Sequence, residues 1–482
     1  MSETPSQTSN FSTELQLLRR DIFGLIAIRA ETLKKLEEFV HELISDAIKS
    51  IVQTGEFAKV LSSIEDVEIK IDFLPGVGDF TSFLRLVKIL NKKDNSIIVK
   101  IVAKLAFDKT QPRILQELTD PNSGVNLSKR LSYKTGREFE RTKIISQYLA
   151  TKNTQGIVPE GIFCFSLPGG NGGTVVFYEL IEGPTLEELV LSCAEENTKG
   201  NTKKPDFDPE QLFSEVGRLL TIWHSSLSPA EGSLDERFFK NDTNRIKKYQ
   251  QKFPDPNSLL LSMFGILKKW SSPNKVLDLT KFLETITFIW STINQNLEAF
   301  LQACHTPLLC HGDFKPENII ATKVAGQNRI CFIDNDAFYG LPWLDLFKMI
   351  SRTVPILLRH PELKQLIFNC LSNFLDSYFS NISKMVQINE NNLFNCRLAS
   401  VFIALDLISI LDSYSVIIPG RLQFYPFLSN VFLGGQDRSL IALLNAIYEI
   451  LSLDYDQIFS FEDYLLKIVD IFAKNSYVQP NS

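Results

Sequence analysis

His311-Gly312-Asp313-Phe314-Lys315-Pro316-Glu317-Asn318-Ile319-Ile320, followed after ten residues by Cys331-Phe332-Ile333-Asp334-Asn335-Asp336, is the stretch around which the chain is organised. Two short apolar runs, Leu308-Leu309-Cys310 and Ile330-Cys331-Phe332-Ile333, read as β-strands, and each delivers an aspartate at or just past its end. Asn318 stands between the two aspartates. Phosphoryl transfer from a nucleotide asks for one carboxylate to orient the attacking hydroxyl and for hard oxygen ligands to hold magnesium. Asp313, Asn318 and Asp334 supply that set.

Taken with Gly340-Leu341-Pro342-Trp343-Leu344-Asp345-Leu346, these motifs resemble the aminoglycoside phosphotransferase and choline kinase superfamily, whose members share the protein-kinase fold. Three motifs in the same order within 35 residues are far more specific than His-Gly-Asp alone. The resemblance implies an α+β, two-lobed protein-kinase-like fold, with a small antiparallel β-sheet lobe and a large, mainly α-helical one. It makes Asp313 the catalytic base, Asn318 and Asp334 the magnesium ligands, and Asp345 a structural carboxylate that braces the loop. Lys315, two residues beyond Asp313, would touch the transferring phosphoryl group. The donor would be ATP or GTP, and the acceptor a small hydroxylated molecule.

Composition narrows the class. With 482 residues, 44% apolar and 22% charged, the chain is an ordinary globular protein long enough for two or three domains. A net charge of −6 speaks against a nucleic-acid partner or an anionic membrane surface. The seven cysteines are odd in number, scattered and free of any C-x-x-C pair, which suits reduced thiols in the cytoplasm. The N-terminal decapeptide lacks the basic and apolar regions of a secretory signal and reads as a disordered tail. The most apolar window, Leu398 to Leu411, is too short to span a membrane and carries Asp406, so it reads as a buried helix.

Between about Phe11 and Ser63 apolar residues recur at helical spacing, among them Leu36, Val40, Leu43, Ala47 and Ile51. Residues 1–66 thus form a tail and an amphipathic helical extension that packs on its own chain, meets a second copy or recognises a partner. From Val67 the period becomes two: strands over Val67–Phe73, Phe83–Leu90 and Ile97–Val102, with Pro75-Gly76-Val77-Gly78-Asp79 at the first turn. Gly76 and Gly78 make either a hairpin turn or, as the resemblance implies, a short loop whose amides cover the nucleotide phosphates. Lys100 sits where the family's strand lysine reaches the α- and β-phosphates, with Lys104 as its substitute. The helix glutamate that pairs with that lysine is missing, because its position is Thr142. Glu138 lies one turn earlier on the same face and takes the role in preference to Glu140. The largely polar stretch from Leu105 to Tyr133 has no assignment.

Val175 to Ile181 is an apolar strand that runs into Gly183-Pro184 and a helix start at Thr185. It resembles the family's hinge, where the backbone of Glu179, Leu180 and Ile181 would bind the adenine edge. The nucleotide-binding lobe is therefore expected over 67–181 and the catalytic, substrate-binding lobe over 182–482. His224 and His311 read as packed, loop-ordering histidines. Helical periods over Leu346–Leu357, Leu363–Phe379, Leu393–Ser413 and Leu440–Leu451 make the C-terminal part all-α. Ten Lys plus Arg against twelve Asp plus Glu over 346–482 is not the acidity that a polycationic antibiotic would favour. The many C-terminal aromatics form either a cage for a quaternary ammonium or a helical core.

Two other readings compete with a small-molecule kinase. A protein kinase is suggested by His-Gly-Asp-Phe-Lys-Pro-Glu-Asn, but Asp334-Asn335-Asp336 replaces the usual D-F-G and only eight residues separate Asp336 from Asp345, too few for an activation loop. A catalytically silent scaffold is suggested by Thr142 and the helical extension, and opposed by the retained metal ligands.

Overall fold

The computed structural model describes residues 32, 34–51, 67–73, 82–107, 114, 118, 127–152, 154, 156–166, 173–199, 207–225, 249–270, 279–302, 308–324, 326–385, 395–414 and 436–477. They fall into two compact units, one comprising 1–136 and 162–179 and the other 137–161 and 180–482.

The first unit is built on an antiparallel sheet of order β1-β2-β3-β5-β4, where β1 is Val67–Phe73, β2 Ser82–Asn91, β3 Ile97–Ala106, β4 Gly161–Ser166 and β5 Thr174–Glu179. All three strands expected between Val67 and Val102 are present, the second and third somewhat longer than their apolar alternation suggested. In β2 the alternation puts Phe83, Val87 and Ile89 on one face, each at most 1% exposed. Residues 34–51 form a helix, α1, whose Leu36, Val40, Ile44, Ala47, Ile48 and Ile51 share one stripe. That stripe and the β2 face, with Ile101, Ala103, Leu105, Val175 and Phe177, make a single apolar core. The extension therefore packs on its own sheet. Its polar edge is tied down by Glu37, which accepts from Arg85 Nη2 at 2.5 Å.

Helix α2, Lys134–Thr151, belongs to the second unit from Arg137 onward. After β5 the chain passes without regular structure to α3, Leu186–Lys199. A capping box fixes that start: Glu188 N donates to Thr185 Oγ1 at 3.2 Å, and Thr185 N to Glu188 Oε2 at 2.8 Å. Gly183 allows this crossing to lie flat on the chain, since a Cβ there would come within 2.0 Å of the Ala321 carbonyl oxygen. Next come α4 (Pro209–His224), α5 (Pro256–Trp270) and α6 (Leu279–Gln302). Two small two-stranded sheets follow, one pairing β6 (Leu308–Cys310) with β9 (Phe338–Gly340), the other the hairpin of β7 (Ile319–Val324) and β8 (Gln327–Phe332).

Beyond them the described chain is helical, as expected: α7 (Trp343–Thr353), α8 (Lys364–Met385), α9 (Cys396–Tyr414), α10 (Gln436–Leu451) and α11 (Phe461–Lys474). The helix α11 was not anticipated, although Tyr464, Leu465, Ile468, Val469 and Phe472 give it a regular buried stripe. The apolar window in α9 is an interior helix, with Ala399, Ile403, Ala404 and Ile408 fully buried. Among the described residues no helix is long and apolar enough to cross a membrane.

Ile44 is completely buried between α1 and the sheet. Ile44→Ala should cost about 2–4 kcal/mol, read as a lowered denaturant midpoint, whereas the exposed Glu38→Ala should stay within about 0.5 kcal/mol.

Candidate active site

The pairing of β6 with β9 brings the two aspartate-bearing loops side by side. β6 runs into His311, Gly312 and Asp313, and β9 precedes α7. Gly312 has φ +86°, and a Cβ on it would approach the Asp336 carbonyl oxygen to 2.5 Å, so only glycine fits the turn. The loops are then joined by Asp336 N donating to His311 O at 2.9 Å and Ile333 N to Asn318 O at 2.9 Å.

Asp345, in the first turn of α7, braces the loop of His311, Gly312 and Asp313. Its carboxylate accepts from His311 N at 2.6 Å, from Gly312 N at 2.9 Å and from His224 Nε2 at 3.0 Å. Behind it, His224 Nδ1 faces Tyr378 Oη at 2.7 Å, so the ring is held at both nitrogens. Burial alone would raise the Asp345 pKa, but the His224 hydrogen bond and charge, with His311, hold it below the ordinary carboxylate value. Cys310 Sγ lies near this pair, but the lone pairs of His224 and Asp345 are already committed, and the trio reads as scaffold. The His311 ring is enclosed by Trp223, Phe314 and Phe332 with centroids 5.2–6.1 Å away. Burial pushes its pKa down despite three nearby aspartates, which leaves a neutral, packed ring unsuited to proton transfer.

Asp313 is partly exposed, with a quarter of its side chain reaching solvent. Oδ1 meets the ammonium of Lys348, and Oδ2 meets Lys315 Nζ at 3.2 Å and Asn318 Nδ2 at 3.0 Å. Burial works to raise the Asp313 pKa, yet the two lysines outweigh it and keep the carboxyl well below the usual range. Conversely, the Lys315 pKa is raised: burial opposes its charge, but Asp313 and Glu317 more than restore it. Lys348 was not foreseen from the sequence. The signal was present in α7, because Asp345, Lys348 and Arg352 at spacings of three and four share one helix face, and the brace turns that face to the loop.

Asp334 lies in the left-handed region at φ +55°, a conformation aspartate tolerates better than most side chains, and it is exposed. Asn318 commits Nδ2 to the Asp313 carboxylate and carbonyl, which turns its Oδ1 the other way. An amide oxygen and an exposed carboxylate are hard donors, so the residues fit magnesium. The loop beyond is fastened to α2. Arg141 Nη1 donates to Ala337 O at 3.0 Å and its Nη2 pairs with Asp336 at 3.3 Å, while Asn335 Nδ2 donates to Thr142 Oγ1 at 2.8 Å. Thr142, standing where a glutamate was expected, thus holds the loop that carries Asp334.

The other residues singled out from the sequence stand as follows. Gly76 and Gly78 lie outside the described residues. Lys100 is exposed on β3 opposite Lys88, whereas Lys104 is 5% exposed and registers against Val176 of β5. Of the two, Lys104 is the buried one. Glu138 is buried and Glu140 exposed, in line with the helical phase. Glu179 ends β5, and Leu180 and Ile181 continue outside any strand or helix. Of the aromatics considered for a cage, Tyr464 is buried in the core beside Ser400, and Phe459 is 88% exposed; Phe424, Tyr425 and Phe427 lie outside the described residues.

Residues 137–367 match the model of a phosphotransferase enzyme family. No curated protein sequence matches. Among solved structures, the chain is similar to a microcompartment-associated aminopropanol kinase (12% identity, TM-score 0.41, covering 84% of this chain and 99% of that one). It is also similar to an aminoglycoside 2'-phosphotransferase-IIIa solved with GDP (13%, 0.38, 83% and 98%) and to a glucosamine kinase (14%, 0.38, 79% and 95%).

Asp345→Ala strips two buried backbone N–H groups of their acceptor, at about 1–3 kcal/mol each. A drop of that size in unfolding free energy is expected. Because the Asp345 pKa is depressed in the folded chain, its contribution is present at neutral pH and fades as pH falls through the folded value, so wild type and variant should converge in acid.

Proposed function

We propose that this chain, whose residues 137–367 match the model of a phosphotransferase enzyme family, moves the γ-phosphoryl group of a nucleoside triphosphate to a hydroxyl of a small molecule. The observation that carries the reading is the loop pair held by Asp345, which sets Asp313, Lys315 and Asn318 on one short turn and Asp334 on the neighbouring loop. In the reaction the acceptor oxygen bonds to the γ-phosphorus, and the bond from that phosphorus to the β–γ bridging oxygen breaks. A nucleoside diphosphate leaves. Asp313 accepts a hydrogen bond from the attacking hydroxyl and takes its proton late. Its depressed pKa suits it to orienting that hydroxyl more than to removing the proton in advance.

Lys315 offsets the charge on the transferring group. Asn318 Oδ1 and the Asp334 carboxylate would hold magnesium, which when bound neutralises the β- and γ-phosphate oxygens. On its burial, Lys104 is assigned the strand-lysine role toward the α- and β-phosphates in place of Lys100. Glu179, Leu180 and Ile181 supply the backbone for the base, and Glu138 is the α2 carboxylate. The free thiols among the described cysteines support a cytoplasmic setting.

Nucleotide consumption against a panel of hydroxylated acceptors tests the reaction, and Asp313→Ala should lower it by on the order of 10²–10⁴. Unchanged turnover in that variant would exclude the assignment. Lys104→Met should weaken the thermal stabilisation by magnesium and nucleotide at least tenfold in half-saturating concentration, and Lys100→Met should leave it as in the wild type. A chain that nucleotide and magnesium fail to stabilise at all would be the scaffold.

A further inference from the structure

Asp334 is exposed and lies at φ +55°; the other described non-glycine residue with positive φ is Asn95, in the exposed turn between β2 and β3. The left-handed region is unfavourable for a residue with a Cβ, so such a conformation persists where its surroundings impose it. Here the neighbours of Asp334 are held one after another. Ile333 N donates to Asn318 O and Asp336 N to His311 O, both at 2.9 Å. Asn335 Nδ2 donates to Thr142 Oγ1 at 2.8 Å, and Arg141 takes the Asp336 carboxylate and the Ala337 carbonyl.

The first two bonds lie within the loop pair, and the others come from α2. Those from α2 join the two places where the chain departs from the kinase pattern: Thr142 replaces the helix glutamate, and Asn335-Asp336 replaces the Phe-Gly that usually follows the metal aspartate. Thr142 and Asn335 are 2% and 4% exposed. Thr142 donates its hydroxyl proton to Glu138 O at 2.8 Å, which leaves Oγ1 as an acceptor and makes Nδ2, not Oδ1, the end of the amide that meets it. This is the one hydrogen bond of the Asn335 side chain among the described residues, and Oδ1 is buried without a partner there. With the Thr142 oxygen removed, the whole amide would be buried and unmatched. Turning it toward water would carry the adjoining Asp334 out of its left-handed conformation.

Resting on the kinase reading above, in which Asp334 holds magnesium, we propose that Thr142 and Asn335 are positioning residues of the magnesium site. The α2 hydroxyl, acting through the Asn335 amide, keeps Asp334 in its left-handed conformation and so sets how tightly the metal is held. A carboxylate fixed in this way on folding has no rearrangement left to make when the metal binds.

The test uses the full chain with a saturating non-hydrolysable ATP analogue. Magnesium is titrated by thermal shift, and manganese by the free-ion signal in electron paramagnetic resonance. Thr142→Val keeps the side-chain shape and removes the oxygen. It should raise the half-saturating concentration of both metals by about fivefold or more, as expected for the loss of one buried hydrogen bond, while Thr142→Ser should stay within about twofold of the wild type. Asn335→Leu should match Thr142→Val, and the double variant should go no further than either single one. A bond that served stability alone would lower the melting temperature of the metal-free chain and leave the metal titrations unmoved, which overturns the inference. So does a Thr142→Ser as weak as Thr142→Val, an additive double variant, or weakening in Asn335→Leu with Thr142→Val unmoved, which would make Asn335 itself a ligand. If Thr142→Val does not fold, Asn335→Leu carries the comparison from the loop side, and failure of both to fold makes the pair structural and overturns the inference as well. A wild-type chain that binds neither metal in the presence of the nucleotide analogue would instead remove the reading on which the inference rests.

Discussion

Two backbone N–H groups, those of His311 and Gly312, must find an acceptor inside the protein, and the carboxylate of Asp345 is that acceptor. Most of the site's geometry follows from this requirement. A carboxylate at that depth is stable only if its charge is answered, so His224 is drawn in from α4 and is itself fixed by Tyr378 of α8. Three helices and the β6 loop are thereby locked together. Asp313 is two residues from His311 in a turn that only Gly312 can make, and its position is inherited from that lock.

The same helix that braces the loop also charges it. Because α7 turns the Asp345 face toward the loop, Lys348 and Arg352 must follow at one and two turns. The Asp313 carboxylate therefore rests in an ion pair, with its pKa depressed. On the reading proposed above, Asp313 would orient a hydroxyl more than capture its proton in advance, in keeping with phosphoryl transfer, where positioning and charge neutralisation dominate. On the other side, Thr142 and Arg141 of α2 tie down the loop that carries Asp334. The departure from the expected glutamate thus has a physical counterpart: the helix is anchored through hydrogen bonds to the loop backbone and side chains.

The first unit owes its stability to a different device. A five-stranded sheet buries one face only if something covers it, and α1 provides that cover through six side chains at helical spacing. The amphipathic period was plain in the residues. Its target was not, because a stripe of leucine, valine and isoleucine packs equally well on its own sheet, a second copy or a partner. Arg85 and Glu37, 48 positions apart, mark the side on which it settled.

The sequence by itself determined the chemistry-bearing loop, the first three strands of the small sheet through their period-two runs, the crossing at Gly183-Pro184, and the four helices expected after Asp345. Each of these is a local property: alternation, helical phase, turn residues, and motif spacing within 35 positions. The tertiary structure alone decided which of Lys100 and Lys104 is buried, that His224 and Tyr378 stand behind Asp345, and that Lys348 sits on Asp313. These depend on strand register and on contacts between residues 35 to 154 positions apart, across which residue pattern carries no distance information. Lys348 lies between the two cases. Its helix phase was written in the chain, but its meaning appeared only once the Asp345 brace showed which way that face of the helix turns.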